Sequence, residues 1–250
     1  MKRALIYTII FAAIQFLTGG VATLAFELLN GDSKSATGLI VSTATASIVA
    51  VIIFLAARWT VVSRHWIQTR PWFVLFWCVM GAVGILFPST WLQEQMPELP
   101  NIAEEAFDTI MKDRMGYFII GLLAPLTEEM VFRGAVLRSL LQWKQNPWVG
   151  IVISAILFAL IHMNPVQMPH AFLVGLLLGW MYYRTDSIIP GVVYHWVNNT
   201  VAYVMYNLYP DPNMTLMDLF GSQRAILMAL VFSLCIFLPS LYQLNMRLKK

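Results

Sequence analysis

The chain alternates long apolar runs with short polar breaks. Apolar segments cover approximately residues 4–29, 36–57, 71–92, 116–140, 148–163, 168–184, 187–206 and 224–243. A helix needs roughly 20 such residues to cross ~30 Å of hydrocarbon. The pattern therefore predicts an all-α fold, a polytopic membrane helical bundle with about eight transmembrane helices. The first run follows Lys2 and Arg3, as in a signal peptide, but the apolar stretch continues past any small-x-small site and reads as a retained span. No repeat or low-complexity linker divides the sequence, so residues 1–250 read as a single integral membrane domain.

Charge follows the same alternation. With eight spans, Lys2, Arg3, Arg58, Arg64, Arg70, Arg138, Lys144, Arg184, Arg247, Lys249 and Lys250 all fall on one side. The other side holds Asp32, Glu94, Glu98, Glu104, Glu105, Asp108, Asp113, Asp211 and Asp218, with few basic residues. The positive-inside rule then predicts both termini in the cytoplasm. Trp59, Trp66, Trp72, Trp143 and Trp148 lie near the proposed cytoplasmic ends, where aromatic rings anchor at the interface. In the longest break, 93–115, residues 101–115 pattern as a short amphipathic helix near the interface.

Composition sharpens this. Hydrophobic residues make up 59% and charged residues 12%, against ~25% charged in soluble domains. Cys78 and Cys235 sit in apolar runs as packing residues, without a C-x-x-C pair. Basic residues are too dispersed for nucleic-acid binding. Neither a P-loop nor a dinucleotide fingerprint is present.

Against this background, ionisable residues within apolar runs need a reason. Glu128, Glu129 and Arg133 lie in 116–140, His162 ends 148–163, and His195 with Asn199 lies in 187–206. Glu129 and Arg133 are spaced i, i+4 and can pair on one helix face, as can His195 and Asn199. Neighbouring Glu128 and Glu129 disfavour double ionisation, which suits one of them to proton exchange. Counting ~1.5 Å per residue from the cytoplasmic ends puts Glu128 ~18 Å deep, His162 ~21 Å, His195 ~12 Å and Asn199 ~18 Å. Four polar residues from three segments thus share one band. The bland alternative is a structural ion pair with interhelical hydrogen bonds. His170 reads as a turn or packing residue, and Gly175 with Gly179 as a close-packing pair.

A carboxylate and a histidine facing one water can generate a nucleophile. A second histidine and an asparagine can stabilise an oxyanion. Together they suffice for peptide hydrolysis without a covalent intermediate. Ser139 and Ser154 lack partners for a serine mechanism. Two histidines and a glutamate could instead form a zinc site, although the H-E-x-x-H helix is absent. No cofactor is expected, with zinc the minority arrangement.

The ordered motifs resemble one family. Glu128-Glu129-Met130-Val131-Phe132-Arg133 matches E-E-x-x-x-R, Phe158 to His162 matches F-x-x-x-H, and His195 to Asn199 matches H-x-x-x-N. Phe172, Gly175 and Gly179 match an associated F-x-x-G-x-x-x-G pattern. The set is similar to the CAAX prenyl proteases and bacteriocin-processing enzymes, the Abi family of intramembrane glutamate proteases, most strongly over 115–205. The resemblance implies a catalytic core at 115–205 in which Glu128, helped by His162, activates water. It implies that His195 and Asn199 stabilise the oxyanion and that Glu129 and Arg133 support them. It also implies a membrane-embedded or lipidated peptide or protein substrate, prenylated or not, whose identity it leaves open, and a bacterial cytoplasmic membrane location. It leaves the oligomeric state open. A non-catalytic membrane adaptor or chaperone of the same fold, and a small transporter or channel, are the competing readings.

Overall fold

A computed structural model describes residues 1–30, 32–63, 71–143, 145–209, 211 and 214–248. Arg64, Trp66, Arg70, Lys144, Lys249 and Lys250 of the charge and anchor patterns lie outside the described residues. Among the described residues the chain is helical, with no strand.

The helices are α1 (Lys2–Asn30), α2 (Ala36–Ala56), α3 (Trp72–Gly84), α4 (Leu86–Glu94) and α5 (Glu104–Lys112). A continuous helical rod, α6, spans 118–141, and is followed by α7 (Pro147–Ile161), α8 (Met168–Thr185) and α9 (Ile189–Leu208). A short α10 (Leu216–Phe220) precedes α11 (Gln223–Arg247).

Among the described residues, four stretches are long and apolar enough to cross a membrane: Lys2–Leu29, Ala36–Ala56, Trp72–Glu94 and Gln223–Arg247. This corrects the expectation of about eight spans, on which the alternation of basic and acidic loops rested. The remaining runs fail for physical reasons. The rod α6 carries Glu128, Glu129, Arg133 and Arg138. Helix α7 has 15 residues, about 23 Å at 1.5 Å per residue, short of ~30 Å. Helices α8 and α9 are diluted by His170, Arg184, His195, Asn198 and Asn199.

Burial divides the helices accordingly. The four apolar stretches expose large side chains such as Ile9, Phe16, Leu17, Leu24, Leu227 and Phe232. Apolar surface of that extent belongs in lipid, so the chain is a multi-pass membrane protein. In α6, by contrast, Val131, Phe132, Val136 and Leu137 are fully buried.

Small residues set the helix spacings. Helix α1 packs on α2, with Ala46 and Ala50 buried and Thr23 Oγ1 donating to Ser42 Oγ at 3.0 Å. A Cβ at Gly84 would stand 2.7 Å from the Phe237 nitrogen, so α3 and α11 meet at backbone distance. Pro88 has no amide to bond the Gly84 carbonyl, which accounts for the break between α3 and α4. Gly175 and Gly179 seat α8 on α7, against Ala155 and Ile151, which is the packing role the spacing suggests.

The amphipathic helix α5 starts with Glu104 and Glu105 and ends with Lys112, in favourable order for the helix dipole. It docks on the end of α9. Tyr206 donates to Asp108, Tyr203 to the Asp113 carbonyl at 3.0 Å, and Asn207 Nδ2 to the Met111 carbonyl at 3.1 Å.

Candidate active site

The rod that carries the glutamates is not a uniform α-helix. Phe118–Leu123 and Phe132–Leu137 are π-helical and flank the α-helical Ala124–Val131. Pro125 follows the first π segment closely, and its missing amide removes an i→i−4 bond there. π segments are rare and recur at functional sites, since they leave backbone groups for other partners. Two carbonyls of the π segments, Ile120 and Phe132, and that of Met130 just before the second segment take side-chain donors. Asn199 Nδ2 donates to the Ile120 carbonyl at 2.9 Å, Thr60 Oγ1 to the Met130 carbonyl at 2.6 Å and Ser154 Oγ to the Phe132 carbonyl at 3.2 Å. Gly134 makes room for Thr60: a Cβ there would stand 2.6 Å from Thr60 Cγ2.

Glu129 and Arg133 form the expected pair, with Arg133 Nη1 donating to Glu129 Oε1 at 2.7 Å. Both are essentially inaccessible, at 0% and 1% exposure. Arg133 also reaches the Gly175 carbonyl at 3.4 Å and lies 4.3 Å from the Phe158 ring centroid. Such a buried pair requires surrounding polar and aromatic contacts to offset desolvation. Gly191 gives the carboxylate space, because a Cβ there would stand 2.7 Å from Glu129 Oε2.

Glu129 has a second partner that helix spacing does not reveal. His195 Nδ1 lies 3.1 Å from Glu129 Oε1, and His195 Nε2 lies 3.7 Å from Glu128 Oε2. The carboxylate of Glu129 accepts, so Nδ1 carries the proton of the neutral ring. That leaves Nε2 directed at Glu128. His162 is oriented in the same manner, its Nδ1 donating to the Phe158 carbonyl at 2.8 Å. Met163 turns into the left-handed region, with φ 49°, and ends the helix immediately after His162. The Phe158 ring meets both imidazoles edge-on, at 4.9 Å from His162 and 5.9 Å from His195.

Glu128, His162, His195 and Asn199 all line one cavity of about 480 Å³. Glu129 and Arg133 stand behind it. His170, a turn or packing residue by sequence, also borders this cavity. Asn198 Nδ2 lies 3.4 Å from His170 Nε2 and donates to Asn199 Oδ1 at 3.3 Å. An amide whose oxygen is occupied in this way presents its nitrogen as donor. Sequence reasoning also passes over Asn164, which is 1% exposed. It accepts from the Ile102 amide at 3.1 Å and donates to Asn101 at 2.8 Å, tying the 101–102 loop to the turn behind His162. The only sequence signal for it is the Asn-Pro dipeptide that marks a turn.

The serines set aside by sequence are engaged with backbone. Ser139 Oγ donates to the Val136 carbonyl at 2.8 Å, and Ser154 to Phe132 as above. Among the described residues, no group of three or more His, Cys, Asp or Glu side chains is arranged to hold a metal ion.

Residues 112–201 match the model of the Rce1-like family, described as type II CAAX prenyl endopeptidases. Two curated bacterial proteins are similar over longer stretches. The UPF0177 protein YxdF of Lactococcus lactis is 26% identical over 164 residues, 60% of this chain and 86% of that protein. An uncharacterised 24.3 kDa protein of Escherichia coli is 28% identical over 144 residues, 53% of this chain and 62% of that protein. No solved structure matches.

Proposed function

We propose that the buried cluster of this chain, whose residues 112–201 match the Rce1-like family of CAAX prenyl endopeptidases, hydrolyses peptide bonds of membrane-embedded or lipidated substrates with a water activated by Glu128. The observation that carries this reading is the linked set Arg133, Glu129, His195 and Glu128, which ends on the wall of the 480 Å³ cavity.

Water held between Glu128 and His162 loses a proton to the Glu128 carboxylate and attacks the scissile carbonyl carbon. His162, its Nδ1 fixed by the Phe158 carbonyl, orients that water through Nε2. The new C–O bond moves negative charge onto the carbonyl oxygen. Glu128 passes that proton on to His195 Nε2, 3.7 Å away, and Nε2 then donates with Asn199 Nδ2 to the negative oxygen. Glu129 stabilises the resulting imidazolium, as a buried carboxylate does for a catalytic histidine. Collapse of the intermediate breaks the C–N bond, and the proton returns from His195 through Glu128 to the leaving amine. Residues of this chain perform each step, so a metal is not required. The surroundings would be a bacterial cytoplasmic membrane.

Glu128→Gln tests the reading. It keeps shape and hydrogen bonding while removing the base. Turnover of a membrane-embedded reporter peptide should vanish while the unfolding temperature in detergent stays at the wild-type value. Wild-type turnover in Glu128→Gln would sink the mechanism. Inactivity that accompanies loss of folding would favour a non-catalytic adaptor instead.

A further inference from the structure

A second cavity, of about 230 Å³, lies against the first. Its outer wall comes from α1 and α2, through Phe11, Ala12, Phe16, Thr43 and Ser47. Ala124, Glu128 and His162 line both cavities. Glu128 and His162 therefore sit where two chambers meet rather than at the end of one.

A polypeptide presented to Glu128 has chain on both sides of the bond being cut. The larger cavity, with its asparagines and histidines, suits the backbone-rich side. The smaller one is mostly apolar. Thr43 Oγ1 donates to the Leu39 carbonyl and Thr127 Oγ1 to the Leu123 carbonyl, both at 2.8 Å, so these hydroxyls are engaged with their own helices. Phe11, Ala12, Phe16, Ala124, Ile161 and Met163 make up the apolar lining, and Gln15 and Ser47 are the other polar residues on the α1 and α2 side. Its volume falls below the ~300–1,000 Å³ of pockets that take whole small molecules, and suits one bulky side chain.

We propose that this chamber is a specificity subsite for a large aliphatic or aromatic side chain of the substrate, on a residue flanking the scissile bond. The inference rests on the peptidase reading above. Helices α1 and α2 lie outside residues 112–201, the stretch that matches the family. Part of the substrate choice therefore comes from outside the stretch that carries the chemistry. Ala12 is the sensitive position, because a larger residue there fills the chamber from α1 and leaves Glu128 and His162 themselves unchanged.

The experiment uses the full-length protein in lipid nanodiscs and a set of membrane-spanning reporter peptides with Ala, Leu or Phe on either side of the cut. Wild type should prefer Leu or Phe over Ala by ~10-fold or more in kcat/KM at one of these positions. Ala12→Phe, and the milder Ala12→Leu should the first fail to fold, should bring that ratio close to one. The ratio is the readout, since a general loss of stability would lower all three rates together. Binding is followed separately in the Glu128→Gln background, by photo-crosslinking of a Phe-bearing peptide, and Ala12→Phe should abolish the crosslink. An unchanged ratio and an unchanged crosslink would overturn the subsite. A lipid that co-purifies with wild type and is lost from Ala12→Phe, with peptide preference intact, would also overturn it by identifying the chamber as a lipid site. If Glu128→Gln still cleaves, the peptidase mechanism fails while the crosslink still decides the subsite.

Discussion

Glu129 and His195, 66 positions apart in sequence, meet at 3.1 Å through the same carboxylate oxygen that accepts from Arg133 at 2.7 Å. One oxygen thus joins the stabilising ion pair to the imidazole that borders the cavity. Changes in the pair should reach the chemistry through His195, which separates them from changes at Glu128.

Glu129→Gln and Arg133→Ala should each cost stability as well as activity. Each leaves a fully buried partner without its counter-charge, and breaking such a pair typically costs about 3–5 kcal/mol. Both variants should show lower unfolding temperatures in detergent, unlike Glu128→Gln. A normal unfolding temperature for Arg133→Ala would mean that the pair contributes little to the fold.

Asn199→Ala should reduce kcat by ~10²-fold or more, the usual consequence of losing one oxyanion donor. Asn198→Ala should act through the orientation of Asn199. The loss of one net hydrogen bond, about 1 kcal/mol, corresponds to roughly a fivefold drop in kcat. KM should change little in both. Steady-state kinetics on a single reporter peptide separates the two, and a pure KM effect in Asn198→Ala would remove it from the positioning chain.

Phe158 touches Arg133, His162 and His195 with one ring. Phe158→Ala should cost about 3–5 kcal/mol, as for aromatic truncations in packed interiors. Phe158→Leu fills much of the volume and should fold, yet it loses the face on which Arg133 rests. Its kcat should fall more than its stability, as measured by turnover and thermal unfolding on the same preparation.

Treatment with a strong chelator should leave peptide cleavage unchanged, because the proposed mechanism draws its base and its donors from side chains alone. Activity that disappears on chelation and returns with zinc would replace the glutamate mechanism with a metal-assisted one.

Much of the site was legible because helix geometry is local. The spacing of Glu129 and Arg133 predicts their contact, and it holds at 2.7 Å. Glu128, His162, His195 and Asn199 line one cavity, although the depths that grouped them were counted along segments that do not meet the requirements for a membrane span. The Glu129–His195 bond depends on how α6 packs against α9, which no local pattern encodes. His170 offers a similar lesson: an imidazole at a helix start looks like a turn residue until the neighbouring helix supplies Asn198. The number of spans was misread because apolar runs buried by protein and apolar runs facing lipid look alike in sequence. The π segments escaped for a related reason, since hydrophobicity does not record hydrogen-bond register.

Thr60 and Gly134 remain to be considered together. The hydroxyl of Thr60 serves the Met130 carbonyl one residue after Glu129, and its methyl occupies the space where a side chain at 134 would begin. The two positions should therefore vary in concert among homologous chains. Where a relative carries alanine or serine at the place of Gly134, its counterpart of Thr60 should be smaller or withdrawn. Position 60 lies outside the stretch 112–201 that defines the family match. Covariation between these two sites would show that the glutamate-bearing rod evolved with its apolar surroundings rather than as an independent cassette.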